Sequence, residues 1–303
     1  MVKVKLRLIP IFDTNVFADV QRAQISQTDW NFLLRHRPHH GWPMSQVTAL
    51  ELLAGVHFVQ SDKFSDIRKQ IVLAYDLSKG RVLNDPRFLL GQEILRIPFP
   101  PEELPPAASM ISKYMDVLRR TETINELLTS GIPYKGKCAR LESTSILADL
   151  MAGPKKNWVD ALEKMADGYY PAWRELFKKT GLRLPLEMRR ELEPKLAWKE
   201  QRYAFVRALL EWLHAPTNQE LVTEISIRLD AVLEFAIFVA REFLLRNYSS
   251  EKHQSDVFDQ FQLQYLAFDR FNIVTRDSDL LTRTQNSPQA ARIMSFENFL
   301  STL

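Results

Sequence analysis

The chain has 303 residues, 46% of them hydrophobic, with 40 Lys+Arg against 37 Asp+Glu. That length suits one large domain or two modest ones, and the apolar content excludes wholesale disorder. A net charge of +3 is too small to mark a strongly basic nucleic-acid binder, and the single cysteine, Cys138, excludes an intramolecular disulfide and argues against a cysteine-built zinc site.

Lys3, Lys5 and Arg7 alternate with Val4, Leu6 and Leu8, as in a strand and without the unbroken apolar core of a signal peptide. Ile9 to Phe12 is a short apolar run ending at Asp13, and Val16, Phe17 and Val20 then share one face of a short helix. Arg37-Pro38-His39-His40-Gly41 breaks structure. Ser45 reads as an N-cap for a helix carrying Val47, Leu50, Leu53 and Ala54, closing near Gly55. Amphipathic helix is expected over 58–83 and again over 88–97. The prolines at 98, 100, 105 and 106 mark a change of character. From 101 to 245 nearly everything reads as helix: 110–118, 143–150, 158–165, 171–177, 203–212 and 221–245, interrupted at Gly131-Ile132-Pro133, Gly153-Pro154 and Ala215-Pro216. A helix over 258–268, a buried strand over 271–275 and a last strand over 290–294 complete the chain. No fixed-period repeat supports a solenoid. The stretch 231–245, the most apolar, carries Glu234, Arg241 and Glu242 and is too short to span a bilayer. The expectation is a soluble, cytoplasmic protein with no membrane partner.

Acidic residues recur in the two α/β ends. Asp13 follows one buried strand, Asp277 and Asp279 follow another, and Glu51 and Asp259 lie on helices. Groups just beyond the carboxyl ends of strands in an open α/β sheet converge on one crevice. Carboxylates sharing a pocket repel each other unless something neutralises them, and a hard dication with oxygen ligands, Mg²⁺ or Mn²⁺, does so. Such an ion activates water for attack on a phosphodiester and offsets charge on the leaving oxygen.

The string Ile9-Pro10-Ile11-Phe12-Asp13-Thr14-Asn15-Val16-Phe17 resembles the opening of the PIN-domain nucleases. The stretch from Ser45 through Glu51 to Gly55 is similar to their second motif. Asp259, Tyr265-Leu266-Ala267 and Ile273-Val274-Thr275-Arg276-Asp277-Ser278-Asp279-Leu280 are similar to their third and fourth. The resemblance covers the two ends of the chain. It implies a three-layer α/β/α PIN-like domain with a central parallel sheet, built from 1–100 and 246–303, with 101–245 as an inserted all-helical domain. It also implies metal-dependent cleavage of single-stranded RNA. Asp13, Glu51, Asp259 and Asp277 would then form the catalytic, metal-binding set with Mg²⁺ or Mn²⁺, Asp279 an auxiliary ligand, and Asn15 and Thr275 polar supports. The long span between Glu51 and Asp259 departs from the family pattern. Asp256, one helical turn before Asp259, competes as the third acid; the resemblance favours Asp259, whose distance to Val274-Thr275 suits the family pattern.

Each of these residues also has an ordinary reading. Asp13 can cap a helix, Glu51 can be a surface acid, and Asp277 and Asp279 can be turn residues. His36, His39 and His40 read as a solvated loop, since no Cys or regularly spaced acid joins them. The stretch Arg174–Arg207 holds ten basic against five acidic residues, with Trp173 and Trp198 nearby; a solvated face with core tryptophans is favoured there over an RNA-contacting stripe. Neither a Gly-x-Ser-x-Gly elbow nor a phosphate-binding loop is present. The rival reading is a non-catalytic PIN-like adaptor binding RNA or protein, or a second copy of itself, through the helical insertion. An aspartyl-nucleophile phosphatase ranks last, because position 15 is Asn. Some small PIN proteins are growth-arresting toxins, an assignment this chain's length leaves open.

Overall fold

The computed structural model describes residues 8–57, 63–98, 108–123, 126, 132–134, 137–139, 198–245 and 256–303. The expected helices over 143–150, 158–165 and 171–177, with Trp173 and the first part of the basic stripe, lie outside the described residues.

The apolar run before Asp13 forms β1 (Ile9–Phe12), followed by α1 (Thr14–Gln21), α2 (Gln27–His36), α3 (Gln46–His57), α4 (Phe64–Ser78) and the single turn α5 (Pro86–Leu89). A wide π turn, Leu90–Leu95, continues α5 and closes at Arg96 with φ 55°. Next come α6 (Ala108–Arg120) and an antiparallel ribbon of β2 (Ile132–Tyr134) and β3 (Lys137–Ala139). That ribbon departs from the all-helical reading of 101–245. Helices α7 (Trp198–Trp212), α8 (Gln219–Arg228), α9 (Asp230–Leu245) and α10 (Asp256–Leu263) follow, the last running into a 3-10 turn, Gln264–Ala267. The chain then forms β4 (Phe271–Thr275), α11 (Ser278–Thr284), β5 (Ile293–Ser295) and α12 (Phe296–Leu300).

Three strands make a parallel sheet in the order β1-β4-β5, with β4 in the middle. Ile11 pairs with Ile273 and Ile273 with Ile293, so one row of side chains crosses the whole sheet. Pro10, which has no N–H to give a ladder, sits on β1, an edge strand where that lack is tolerated. Successive strand residues point to opposite faces, and the apolar ones divide accordingly. Ile11, Phe271, Ile273 and Ile293 join one core with Val206 of α7, Ile225 of α8, Phe235 of α9 and Phe258 of α10. Phe12 and Val274 join a second with Phe17 of α1, Trp30 of α2, Leu53 of α3, Ile71 of α4, Ile111 of α6 and Phe296 of α12. The architecture is thus α/β, a small parallel sheet with helices on both faces. Full burial of each large apolar side chain contributes roughly 1.5–3 kcal/mol. Where the span 101–245 is described, α6 packs into one of these cores and α7 to α9 into the other.

Helix α2 lies where no element was expected. Ser26 caps it, accepting from Asp29 N–H at 3.1 Å, and Trp30 and Leu33 anchor it. The helix expected over 221–245 is two helices with a break at Leu229. Among the described residues no helix is long and apolar enough to cross a membrane.

Candidate functional site

All three strands of the sheet end at the same edge, and two of them hand the chain directly to acidic helix caps. Asp13 N–H still donates to Val274 C=O at 2.9 Å, completing the ladder, before Asp13 turns the chain into α1 as its N-cap. Asp277 does the same after β4, capping α11 by accepting from Asp279 N–H at 2.7 Å and Leu280 N–H at 3.2 Å through one oxygen. A carboxylate at a helix N-terminus faces unpaired N–H groups and the positive end of the helix dipole.

Asp13 is 8% exposed, and both of its oxygens are engaged. Oδ1 accepts from Thr14 N–H at 2.7 Å; Oδ2 accepts from the Asn15 amide and the Thr275 hydroxyl, each at 2.8 Å. Asn15 in turn accepts from Arg276 N–H at 3.0 Å, and Thr275 accepts from Asp277 N–H at 2.9 Å. Asn15 and Thr275, read as polar supports, therefore tie the ends of β1 and β4 into one hydrogen-bonded knot. Burial, opposed chiefly by the Thr275 hydrogen bond and then the Thr14 N–H, and reinforced by the charge of Asp277, pushes the Asp13 carboxyl up to about 6.

Glu51 comes from α3, whose polar residues are few because Leu52 and Leu53 are buried and Leu50 packs against both cores. Its carboxylate accepts a hydrogen bond from the Thr14 hydroxyl. Asp259, on the first turns of α10, is partly buried. Its carboxyl lies well above the usual range, first from burial and then from the charges of Asp13, Glu51, Asp277 and Asp256, in that order. Four acids from four segments of the chain thus share one electrostatic field. Among the described residues, neither Asp13 nor Asp259 forms an ion pair with Lys, Arg or His.

Asp256 differs. It is buried against Arg283 of α11 at 2.8 Å, with side-chain exposures of 9% for the arginine and 5% for the acid. Asp279 points outward, 69% exposed, at 3.8 Å from the same guanidinium. His36, His39 and His40 are all exposed, and His36 Nδ1 donates to Phe32 C=O at 2.9 Å within its own helix. Of the basic stripe, Arg202 pairs with Asp230 and Glu234, and Arg207 donates to Gln219 at 3.0 Å.

Thr14 and Arg283 were not singled out in the sequence. Thr14 had a signal, since a hydroxyl next to a strand-terminal Asp faces the same crevice. Arg283 had none: its pairing with Asp256 depends on how α10 and α11 pack.

Among the described residues no three His, Cys, Asp or Glu side chains stand as a ready-made cage for an ion. The hydrogen bonds give the reason: Asp13 is turned to Thr275 and Asn15, Glu51 to Thr14, and Asp277 to its own helix. Carboxylates that repel each other settle on whatever hydrogen-bond donors lie beside them. The donor set is nevertheless all oxygen and carries excess negative charge, the chemistry that suits Mg²⁺ or Mn²⁺. Comparison with protein-family models, with curated proteins and with solved structures finds no match for this chain.

Proposed function

We propose that the chain is a PIN-like, metal-dependent endoribonuclease, cutting phosphodiester bonds of single-stranded RNA in the cytoplasm. One observation carries this reading: Asp259 is held, without a cation partner among the described residues, in the field of Asp13, Glu51 and Asp277 at the carboxyl edge of a parallel sheet. A fold that gathers acids in this way loses stability unless a positive charge joins them. Asp13, Glu51, Asp259 and Asp277 would hold Mg²⁺ or Mn²⁺, with outward-facing Asp279 an auxiliary acid at the rim. A bound dication would supply activated water and offset charge at the phosphate.

The chain's own residues do the rest. Asn15 and Thr275 fix the direction of the Asp13 carboxylate, and Thr14 fixes that of Glu51. Pairing of Asp256 with Arg283 supports Asp259 as the third acid, because a carboxylate already neutralised has less to gain from a metal. The span 101–245 would select the RNA or present a surface to a protein partner or a second copy.

The test is cleavage of labelled single-stranded RNA against a titration of Mg²⁺ and Mn²⁺. Metal-dependent cleavage lost in Asp13→Asn and Asp259→Asn is expected. Wild-type protein that cuts no single-stranded RNA and takes up no Mn²⁺ at millimolar concentration would leave the adaptor reading in its place.

A further inference from the structure

Glu51 and Asp259 ride on separate helices, and their distance from one another depends on how α3 seats against α10. A buried chain of hydrogen bonds joins the two helices. The Ser45 hydroxyl donates to Gln262 Oε1 at 2.6 Å. Thr48 N–H donates to Ser45 Oγ at 2.9 Å, and the Thr48 hydroxyl donates to Phe12 C=O at 3.0 Å. Ser45 and Thr48 are fully buried and Gln262 is 2% exposed. Each hydroxyl has one proton. Thr48 spends its own on Phe12, and Ser45, which also lies 2.9 Å from the Thr48 hydroxyl, is closer to Gln262, so donation runs outward from Thr48, to the end of β1 on one side and through Ser45 to α10 on the other.

Phe12, Thr48 and Gln262 stand in register with the acids. Phe12 immediately precedes Asp13. Thr48 stands three residues before Glu51 and Gln262 three residues after Asp259, so each shares a helix face with its acid. Packing alone does not account for Gln262. Its Nε2 is buried with no hydrogen-bond partner among the described residues, and an orphaned buried amide group is destabilising where leucine would be neutral or better. What the glutamine offers that leucine lacks is the acceptor for Ser45.

We infer that Ser45, Thr48 and Gln262 form a strut that sets the spacing of Glu51 and Asp259 against Asp13, with Gln262 as a positioning residue. The inference rests on the reading of those acids as metal ligands. Groups that hold metal ligands in place change metal affinity by about 10–100-fold when removed.

The experiment is Mn²⁺ binding to the full chain, followed by the electron paramagnetic resonance of free Mn²⁺, beside urea unfolding of the same samples. Gln262→Leu is expected to weaken Mn²⁺ binding by about 10-fold while its urea midpoint stays level or rises. Thr48→Val is expected to weaken it similarly, and Thr48→Ser, which keeps the hydroxyl, to restore it. In a Glu51→Gln background the effect of Gln262→Leu should shrink, because the strut then has one ligand fewer to place. Wild-type protein that binds Mn²⁺ while Gln262→Leu binds equally well overturns the strut and leaves the nuclease reading standing. Wild-type protein that takes up no Mn²⁺ overturns both. If Gln262→Leu does not fold, the two Thr48 variants decide: equal affinities overturn the strut.

Discussion

A carboxylate enclosed with other carboxylates works against the fold that encloses it, and that conflict is measurable one side chain at a time. Asp259→Asn removes the most crowded charge while keeping its shape. In metal-free buffer near pH 7.5 the variant is expected to unfold at higher urea than wild type, and to lose more than about 100-fold of any metal-dependent RNA cleavage. A gain in stability coupled to a loss of function marks a functional acid; a structural one would lose both. Asp13 gives the pH dependence. Its folded value of about 6 lies above the ordinary 3.8, so the folded state holds its proton longer than the unfolded state does. Stability from this group is therefore full below pH ~4 and is lost as pH rises through 6, by about 3 kcal/mol in all. Urea midpoints measured in chelator should fall across that window, and Mn²⁺ should restore them at pH 7 and above. The sequence exposed these acids because each stands after an apolar run or inside an apolar helix face. It gave no sign of Gln262, whose part in the site depends on a contact with Ser45 across most of the chain.

Between elements, side chains decide where helices stop and how they hold together. The apolar run 221–245 has no Gly or Pro to break it, which is why it reads as one helix. The break at Leu229 is made by a residue far away. Gln289 donates to Arg228 C=O at 2.8 Å and accepts from Ala231 N–H at 3.0 Å, taking up groups that a continuous helix would have paired with itself. No local pattern carries that information. The strand over 271–275 was legible for the opposite reason, since five consecutive buried residues bounded by polar ones need no distant partner to be recognised. Helix α2 had its own local mark in Ser26 and Asp29, a capping pair. Arg283 joins α10 to α11 through buried Asp256. Arg283→Met removes the guanidinium from beside that enclosed carboxylate, and is expected to cost about 3–5 kcal/mol in urea unfolding. Adding Asp256→Leu should recover most of the loss, which distinguishes a stranded charge from lost packing.

Across the whole molecule, the sheet is small and most of its cover is helix. Val206, Ile225 and Phe235, all fully buried, share a core with Ile11 and Phe271. Replacing 101–245 with a short flexible linker would remove α7 to α9 from one core and α6 from the other. Such a chain is expected to show no cooperative thermal transition by circular dichroism, whereas an insertion folding independently of the sheet would leave one intact. Composition and charge carried the broad class, and the alternation of short strands with helices carried the α/β arrangement. How the helices of 101–245 share the two cores was hidden, because apolar helix faces look alike in sequence whichever partner they meet.

The parallel pairing of β1 with β4 also imposes an order in time. A ribosome releases Asp13 and its strand long before the neighbour that aligns them, Phe271–Thr275, since Asp13 and Thr275 lie 262 residues apart. Until then the first strand is unmated and its acid has neither Thr275 nor Asp277 beside it. Under the nuclease proposal, a nascent chain still tethered to its own messenger RNA would lack an assembled crevice, with translation itself as the safety catch.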